Sequence, residues 1–205
     1  MLGKKLFNNT RKPKGFLGQL MVKSMNSGHE KLAQWGMSTL PSLQPKYIVD
    51  LGCGGGKNVE TLLQKYPHAK VTGVDYSEVS VNMSQKRNAK EISKERCEIL
   101  QDDVSSLQLK DETYDLATAF ETIYFWPGPV KSFEEVYRIL KPGGSFMIVN
   151  ESDGRNEKDK KWEDMIDGMT IYSETELINA LQSVGFTDIK VSHHDFWISF
   201  YAHKE

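Results

Sequence analysis

The sequence has little cysteine, no long apolar run and almost no surplus of charge. Two cysteines, Cys53 and Cys97, stand among 205 residues, which is too few for a disulfide framework and predicts a reducing, cytoplasmic protein. No run reaches the roughly 18 apolar residues of a membrane helix, so no membrane association is expected. The net charge is −2, from 26 Lys and Arg against 28 Asp and Glu. A strongly basic nucleic-acid binder is therefore excluded.

The beginning of the chain differs in composition from the remainder. Residues 1–28 carry six Lys or Arg and no acidic residue, and the short apolar stretch 16–22 contains Gln19, so it makes a poor signal peptide. Apolar residues between Phe16 and Trp35 recur at mostly helical spacing, and prolines follow at 41 and 45. We expect residues 1–45 to form an arm and helical cap, and residues 46–205 to form the single main domain.

After Pro45 the sequence alternates between strand-like and helix-like segments. Strands are predicted at 47–51, 70–74, 97–100, 114–120 and 145–149, with amphipathic helices between most of them. One of these helices is predicted to run from a Ser77 cap to about Ile92. Such alternation indicates βαβ units and a doubly wound, parallel sheet.

The last part of the chain follows a different pattern. Ser173 and Glu176 form a capping box for a helix that Gly185 ends. Two strand-like runs follow, 186–193 and 196–202, with no helix between them, so they are predicted to form an antiparallel hairpin. The predicted fold is therefore α/β and Rossmann-like, with seven strands, mostly parallel, an antiparallel C-terminal hairpin and an N-terminal helical cap.

A glycine-rich loop links the first predicted strand to the helix after it. The segment Val49-Asp50-Leu51-Gly52-Cys53-Gly54-Gly55-Gly56 places glycines where parallel strands end and ligands bind. Asp75 follows the second strand and lies 19 residues after Gly56, where a carboxylate can accept hydrogen bonds from ribose hydroxyls. The alternative for Asp75 is a turn residue that caps the next helix. Together with the loop, its position favours a nucleoside ligand.

The charge of the loop decides between nucleoside cofactors. A dinucleotide-binding pattern would need a small residue at position 57, where the sequence has Lys57. Asp50, just before the loop, would repel a pyrophosphate but suits a ligand that carries an ammonium group. A phosphate-free, cationic cofactor is therefore predicted.

These features resemble the class I S-adenosylmethionine-dependent methyltransferases over residues 45–203. Asp50 through Gly54 resembles the family's first motif, and Asp75 its ribose-binding acid. Asp103 and Val104 resemble the segment that holds the adenine, although Asp102 or Asp103 could form only a surface turn. The resemblance implies S-adenosylmethionine as the cofactor, bound by Asp50, Gly52, Cys53, Gly54, Asp75, Tyr76, Ser77, Asp103, Val104 and Phe120. Cys53 is expected to pack and to contribute backbone contacts rather than to act as a nucleophile.

The segment after the fourth strand is predicted to face the methyl acceptor. It contains Tyr124, Phe125 and Trp126, but neither the Asn/Asp-Pro-Pro-Tyr motif of enzymes that methylate base nitrogens nor a Pro-Cys nucleophile. We therefore expect a small-molecule acceptor in an aromatic-lined pocket, with Tyr124 and Trp126 as substrate residues, while at least one of the three rings packs in the core. Glu121 is a candidate general base or partner for the cofactor's ammonium; the alternative is a solvated carboxylate.

Further candidates lie at the two ends of the chain. His29 is a candidate general base on a lid that includes Met25, although a lone histidine more often serves structure. Tyr172 is a candidate for the other half of the substrate pocket, together with Trp162, Met165, Ile166 and Met169. In the alternative interpretation, these five residues form a stripe that packs in the core or at a dimer interface. His193 and His194 point to opposite faces of a strand, so no metal site is expected.

The sequence thus predicts a methyltransferase that uses S-adenosylmethionine and acts on an unidentified small molecule. It would work as a monomer or homodimer, without nucleic acid or membrane. Two alternatives remain open at this point: a catalytically silent module that only binds the cofactor, and a nicotinamide-dependent oxidoreductase, which the loop pattern disfavours.

Overall fold

The computed structural model of the chain describes residues 30–156 and 159–205. The strands are β1 Tyr47–Leu51, β2 Lys70–Asp75, β3 Cys97–Gln101, β4 Tyr114–Phe120, β5 Leu140–Asn150, β6 Thr187–His194 and β7 Trp197–His203. The helices are α1 Glu30–Thr39, α2 Lys57–Lys65, α3 Glu78–Arg87, α4 Ala89–Ile92, α5 Pro129–Ile139, α6 Lys160–Met165 and α7 Glu174–Val184, with a 3₁₀ turn at Ile123–Phe125. None of the helices in these two ranges is long and apolar enough to cross a bilayer.

All seven strands form one sheet in the order β3-β2-β1-β4-β5-β7-β6. The first five strands pair in parallel, while β7 is antiparallel to both β5 and β6. The predicted Rossmann-like fold with an antiparallel C-terminal hairpin is therefore confirmed. The chain order reverses between β1 and β4, and ligands of such sheets bind in the crevice at the carboxyl ends of the strands beside that reversal.

Alternate residues of the central strands pack on opposite faces of the sheet, as a period of two requires. Ile48 belongs to the core on one side, with α1 and α2, whereas Val49 belongs to the core on the other side, with α5 and α7. The predicted capping box of α7 is present, and Gly185 ends that helix with a φ of 110°. Both faces of the sheet are thus covered, which leaves its strand ends as the place for a site.

Two predicted helices differ from the structure in their bounds. The helix expected from Ser77 to Ile92 is split, because the side chain of Asn88 donates to the carbonyl oxygens of Ser84 and Gly56 at 3.0 and 3.2 Å and ends α3 there. The second difference is nearer the N-terminus, where α1 covers only the last part of the helix expected between Phe16 and Trp35. The earlier part of that helix lies outside the described residues.

Candidate functional site

The glycine-rich loop crosses the carboxyl end of β1 and is fixed to β2. The N–H groups of Gly52 and Cys53 donate to the carbonyl oxygen of Val74 at 2.8 and 2.9 Å. Gly52 and Gly54 have φ values of 76° and 53°, in the left-handed region that favours glycine. A Cβ at Gly52 would lie 2.0 Å from the hydroxyl of Thr122, whereas one at Gly54 would have no atom within 4 Å. The loop therefore packs against the chain after β4 and leaves open space beside Gly54.

Asp75 holds this loop from the end of β2. One carboxylate oxygen accepts a hydrogen bond from the N–H of Gly54 at 2.9 Å, and the other accepts from the N–H of Ser77 at 2.8 Å. The bond from Ser77 matches the alternative interpretation of Asp75 as a turn residue. The bond from Gly54 connects Asp75 to the glycine-rich loop. Burial raises the pKa of Asp75, and the bonds from Ser77 and Gly54 oppose that rise.

Asp50 is a buried carboxylate with an unsatisfied oxygen. Its Oδ1 accepts from the hydroxyl of Thr118 at 2.8 Å, and its Oδ2 has no hydrogen-bond partner among the described residues. Burial raises the pKa of Asp50 to about 7, although the Thr118 hydrogen bond opposes this. A buried acceptor without a donor is costly in a folded protein. The site therefore fits a ligand that brings a cation or a hydrogen-bond donor, such as the ammonium group of S-adenosylmethionine.

The other residues predicted to hold the cofactor surround the same strand ends. Cys53 is buried with its sulfur 3.9 Å from the hydroxyl of Ser84, and burial raises the pKa of its thiol, so it packs rather than reacts. Asp103 is exposed and accepts from the N–H and hydroxyl of Ser105, both at 2.8 Å. The remaining four, from the ends of β2, β3 and β4, are at least half-buried: Tyr76, Ser77, Val104 and Phe120.

A cavity of about 580 Å³ lies at the same edge of the sheet, beyond the end of β4. Glu121, Tyr124 and Phe125 line it on the β4 side. The segment after β5 contributes Glu151, Ser152, Asn156, Asp159, Trp162 and Ile166, followed by Met169 and Ile171. The turn of the C-terminal hairpin contributes His194, Asp195, Phe196 and Trp197. Its volume suits a small organic molecule.

Glu121 stands where the cavity meets the end of β4, in a constrained conformation. Its φ is 57°, which is uncommon for a residue with a side chain, and its N–H donates to the carbonyl oxygen of Val149 at 2.9 Å. Its Oε1 accepts from the Tyr124 hydroxyl at 3.2 Å and from the N–H of Glu151. Burial raises the pKa of Glu121 to about 8. The carboxyl group can therefore exchange a proton near neutral pH.

Two residues predicted to contact the acceptor do not line this cavity. Trp126 is buried in the core, with its ring stacked 6.3 Å from Phe146 and its N–H donating to Thr122 at 3.2 Å. Tyr172 packs against the same core rather than lining the cavity. Trp126 is thus the member of the aromatic trio that belongs to the hydrophobic core, whereas Tyr124, which is also buried, and Phe125 line the cavity. His29 and Met25 lie outside the described residues.

The sequence interpretation missed the hairpin turn as part of the cavity. Because β7 runs antiparallel to β5, its first residues return to the edge where β5 ends, and Ile198 pairs with Asn150. That pairing brings His194 through Trp197 beside the segment that follows β5. The predicted hairpin could have indicated this position. When the last strand runs antiparallel to the others, the turn that precedes it must lie at the carboxyl ends of the parallel strands.

Comparisons with known proteins agree with this fold and this loop. A sequence model of the methyltransferase domain family matches residues 49–148. The chain is 27% identical to methyltransferase phqN of Penicillium fellutanum over 68% of this chain and 45% of that protein. It is 23% identical to the uncharacterized methyltransferase YdaC of Bacillus subtilis over 82% of this chain and 86% of that protein.

Solved structures give the same result for the fold. A SAM-dependent methyltransferase from Aquifex aeolicus superposes with a TM-score of 0.73 at 20% identity, over 91% of this chain and 98% of that one. The chain spans less than half the length of several curated relatives, from 40% to 47%. Sequence motif, sheet order and loop geometry thus converge: residues 49–148 match the methyltransferase domain family, and the fold is shared with solved SAM-dependent methyltransferases.

Proposed function

We propose that this chain transfers a methyl group from S-adenosylmethionine to a small organic molecule held in the cavity beside Glu121. The observation that carries the proposal is the contact between the two halves of the site. Thr122 packs against Gly52 of the glycine loop, and its neighbour Glu121 lines the cavity. A cofactor on the loop and an acceptor in the cavity would therefore be neighbours, as a direct transfer between them requires.

The cofactor half is assigned to residues whose chemistry matches the cofactor. Asp50 offers its unsatisfied Oδ2 to the ammonium group, Gly54 allows close approach of the ligand, and Asp75 offers its carboxylate to the ribose hydroxyls. Asp103 and Val104 are assigned to the adenine end, at the carboxyl end of β3. When bound, S-adenosylmethionine supplies a methyl group activated by the positive charge on its sulfur.

The acceptor half includes a group suited to proton transfer near neutral pH. Glu121 is assigned the role of general base, because its raised pKa of about 8 lets the carboxylate form and take a proton near physiological pH. Tyr124 positions that carboxylate through its hydroxyl. The aromatic and aliphatic side chains of the cavity exclude water from the acceptor.

Calorimetric titration with S-adenosylmethionine, S-adenosylhomocysteine and NAD tests the cofactor assignment. Binding of both sulfur nucleosides without binding of NAD is expected, and binding of NAD alone would refute the proposal. A screen for transfer of a radioactive methyl group to a metabolite mixture then tests catalysis. Cofactor binding with no labelled product from any acceptor class would instead indicate a silent binding module.

A further inference from the structure

The wall of the cavity is unusually acidic for a site lined largely by apolar side chains. Four of its lining residues carry carboxyl groups, namely Glu121, Glu151, Asp159 and Asp195. Within the described part of the chain, His194 is the only lining residue with a basic side chain, and neither Lys nor Arg lines the cavity. A concave surface that carries charge of one sign concentrates ligands of the opposite sign.

Aromatic rings make up much of the remaining wall. The indoles of Trp162 and Trp197 and the ring of Phe196 line the cavity, and Phe196 is 51% exposed although it is a large apolar side chain. Faces of aromatic rings attract ammonium groups, and tryptophan does so most strongly. A contact of this kind is present at this wall, where the ammonium of Lys161 lies 5.0 Å from the centre of the Trp162 ring.

Two described cations beside the lining residues, Arg155 and Lys161, are already engaged. Arg155 forms an ion pair with the buried Asp153 and donates to the carbonyl oxygen of Asp195 at 3.0 Å. Lys161 lies over Trp162, as described above. A metal ion does not fit the acidic wall, because no group of three His, Cys, Asp or Glu side chains in residues 30–156 and 159–205 is arranged to ligate one.

We propose that the acceptor is an organic cation, an amine attached to an aromatic or apolar body, whose ammonium group lies among Glu121, Asp159 and Asp195 while its body packs among Trp162, Trp197 and Phe196. This inference rests on the proposed function, because it names the substrate class of the same site. Carboxylates and rings together recognise an ammonium group on an apolar body, whereas an anion would meet repulsion from the wall.

The chemistry of an amine acceptor balances with the groups present. A primary ammonium ion gives one proton to the Glu121 carboxylate, which leaves a neutral amine with a free electron pair. The amine nitrogen uses that pair to bond the methyl carbon as the carbon–sulfur bond breaks, and the sulfur keeps the electrons of the broken bond. The product is a methylated ammonium ion, so the positive charge passes from sulfur to nitrogen.

Binding of matched probes tests the inference without any methyl transfer. The probes are 2-phenylethyl-trimethylammonium, which cannot accept another methyl group, the neutral 2-phenylethanol and the anionic 3-phenylpropionate. Quenching of tryptophan fluorescence, recorded with saturating S-adenosylhomocysteine, measures their affinity. We expect the cation to bind at least about tenfold more tightly than either other probe, with an affinity that falls as salt is raised. Equal affinities, a preference for the anion, or no binding at millimolar concentration would each overturn the inference.

Two cavity variants and one control locate the cation. Asp195→Asn and Asp159→Asn are each expected to weaken binding of the cationic probe about fivefold and to leave 2-phenylethanol unaffected. Asp188→Asn is the matched control. Asp188 is exposed like Asp195 and has a similar left-handed backbone conformation, with a φ of 47° against 55°, but it lies outside the cavity. An equal loss in all three variants would overturn the assignment.

Two further outcomes distinguish this inference from the proposed function. Methylation of 2-phenylethanol but not of 2-phenylethylamine would refute the amine and leave the proposed function standing. Failure to bind S-adenosylhomocysteine would refute the proposed function itself.

Discussion

The hydroxyl of Tyr124 donates a hydrogen bond to the Glu121 carboxylate at 3.2 Å. The same hydroxyl accepts a hydrogen bond from the N–H of Ser152 at 3.0 Å. Tyr124 thus links the end of β4 to the segment after β5, and burial raises its pKa well above the ordinary value, so it stays a donor. Glu121 is therefore held in one orientation while its proton remains exchangeable.

Glu121→Gln is expected to remove a titration near pH 8. The carboxyl group has a raised pKa of about 8, so the carboxylate form increases as pH rises from 7 to 9, and kcat should rise about tenfold over that range. The variant should lose this dependence and about a hundredfold in kcat. Infrared difference spectra of the parent and the variant check the same carboxyl group without an acceptor. A pH profile unchanged in the variant would contradict the role of general base.

Tyr124→Phe provides the matched control for Glu121. The phenol stabilises the carboxylate by donating to it, so its removal should raise the pKa of Glu121 further and move the rising part of the profile to higher pH. Activity at saturating alkaline pH should largely recover, because the base itself is intact. An activity that stays low at every pH would show that the phenol contacts the acceptor directly.

Asp50→Asn is expected to stabilise the free protein while it weakens cofactor binding. The folded-state pKa of Asp50 is about 7, above its ordinary value of 3.8, so the folded state holds its proton more tightly than the unfolded chain. Stability from this group is therefore lost as pH rises from about 4 to 7, by roughly 4 kcal/mol in total. The variant should melt several degrees higher at pH 8 and gain nothing at pH 4.

Calorimetry with S-adenosylhomocysteine checks the other half of that prediction. The amide introduced by Asp50→Asn is neutral, so the ammonium group of the ligand loses its anionic partner and the affinity should fall about tenfold or more. A variant that is more stable and also binds as tightly as the parent would show that Asp50 does not face the ammonium.

Gly54→Ala is expected to fold and to lose cofactor affinity. A Cβ at this position meets no atom within 4 Å, so the cost to folding is about 1 to 2 kcal/mol for the left-handed conformation alone. The methyl group would project into the open space where the cofactor is proposed to approach. Gly143→Ala is the control, since Gly143 has a φ of 81° and a Cβ there would also meet no atom within 4 Å. Gly143 lies near the start of β5, at the opposite edge of the sheet from the glycine-rich loop. Equal affinity for S-adenosylhomocysteine in both variants would place the cofactor elsewhere.

Phe125→Leu and Trp126→Phe separate the cavity from the core. Trp126 packs against both Phe133 and Phe146, so Trp126→Phe should cost about 2 kcal/mol of unfolding free energy and leave binding of the cationic probe unchanged. Phe125 lines the cavity, and Phe125→Leu should weaken probe binding with little loss of stability. Chemical denaturation and the fluorescence titration measure the two effects, and the reverse pattern would contradict these positions.

Most of the sheet could be predicted because its strands are short, apolar and separated by amphipathic helices. The strand at Tyr114–Phe120 has the predicted bounds, and the capping box at Ser173 forms as its sequence indicates. The split at Asn88 could not be predicted, because it depends on a tertiary hydrogen bond to Gly56, which is distant in sequence. Trp126 belongs to the core while Tyr124 and Phe125 line the cavity, and local periodicity does not specify this difference between consecutive residues.

The antiparallel β7 has a consequence for how this chain can diverge. The family match ends at residue 148, and most of the cavity wall comes from residues 151–197, after that point. The glycine-rich loop and most of the cavity wall thus belong to consecutive stretches of chain, and Glu121, Tyr124 and Phe125 of the first stretch complete the wall. Insertions or exchanges after β5 could change the acceptor while the methyl-donor half stays intact, so new substrate preferences can arise by recombination rather than by rebuilding the fold.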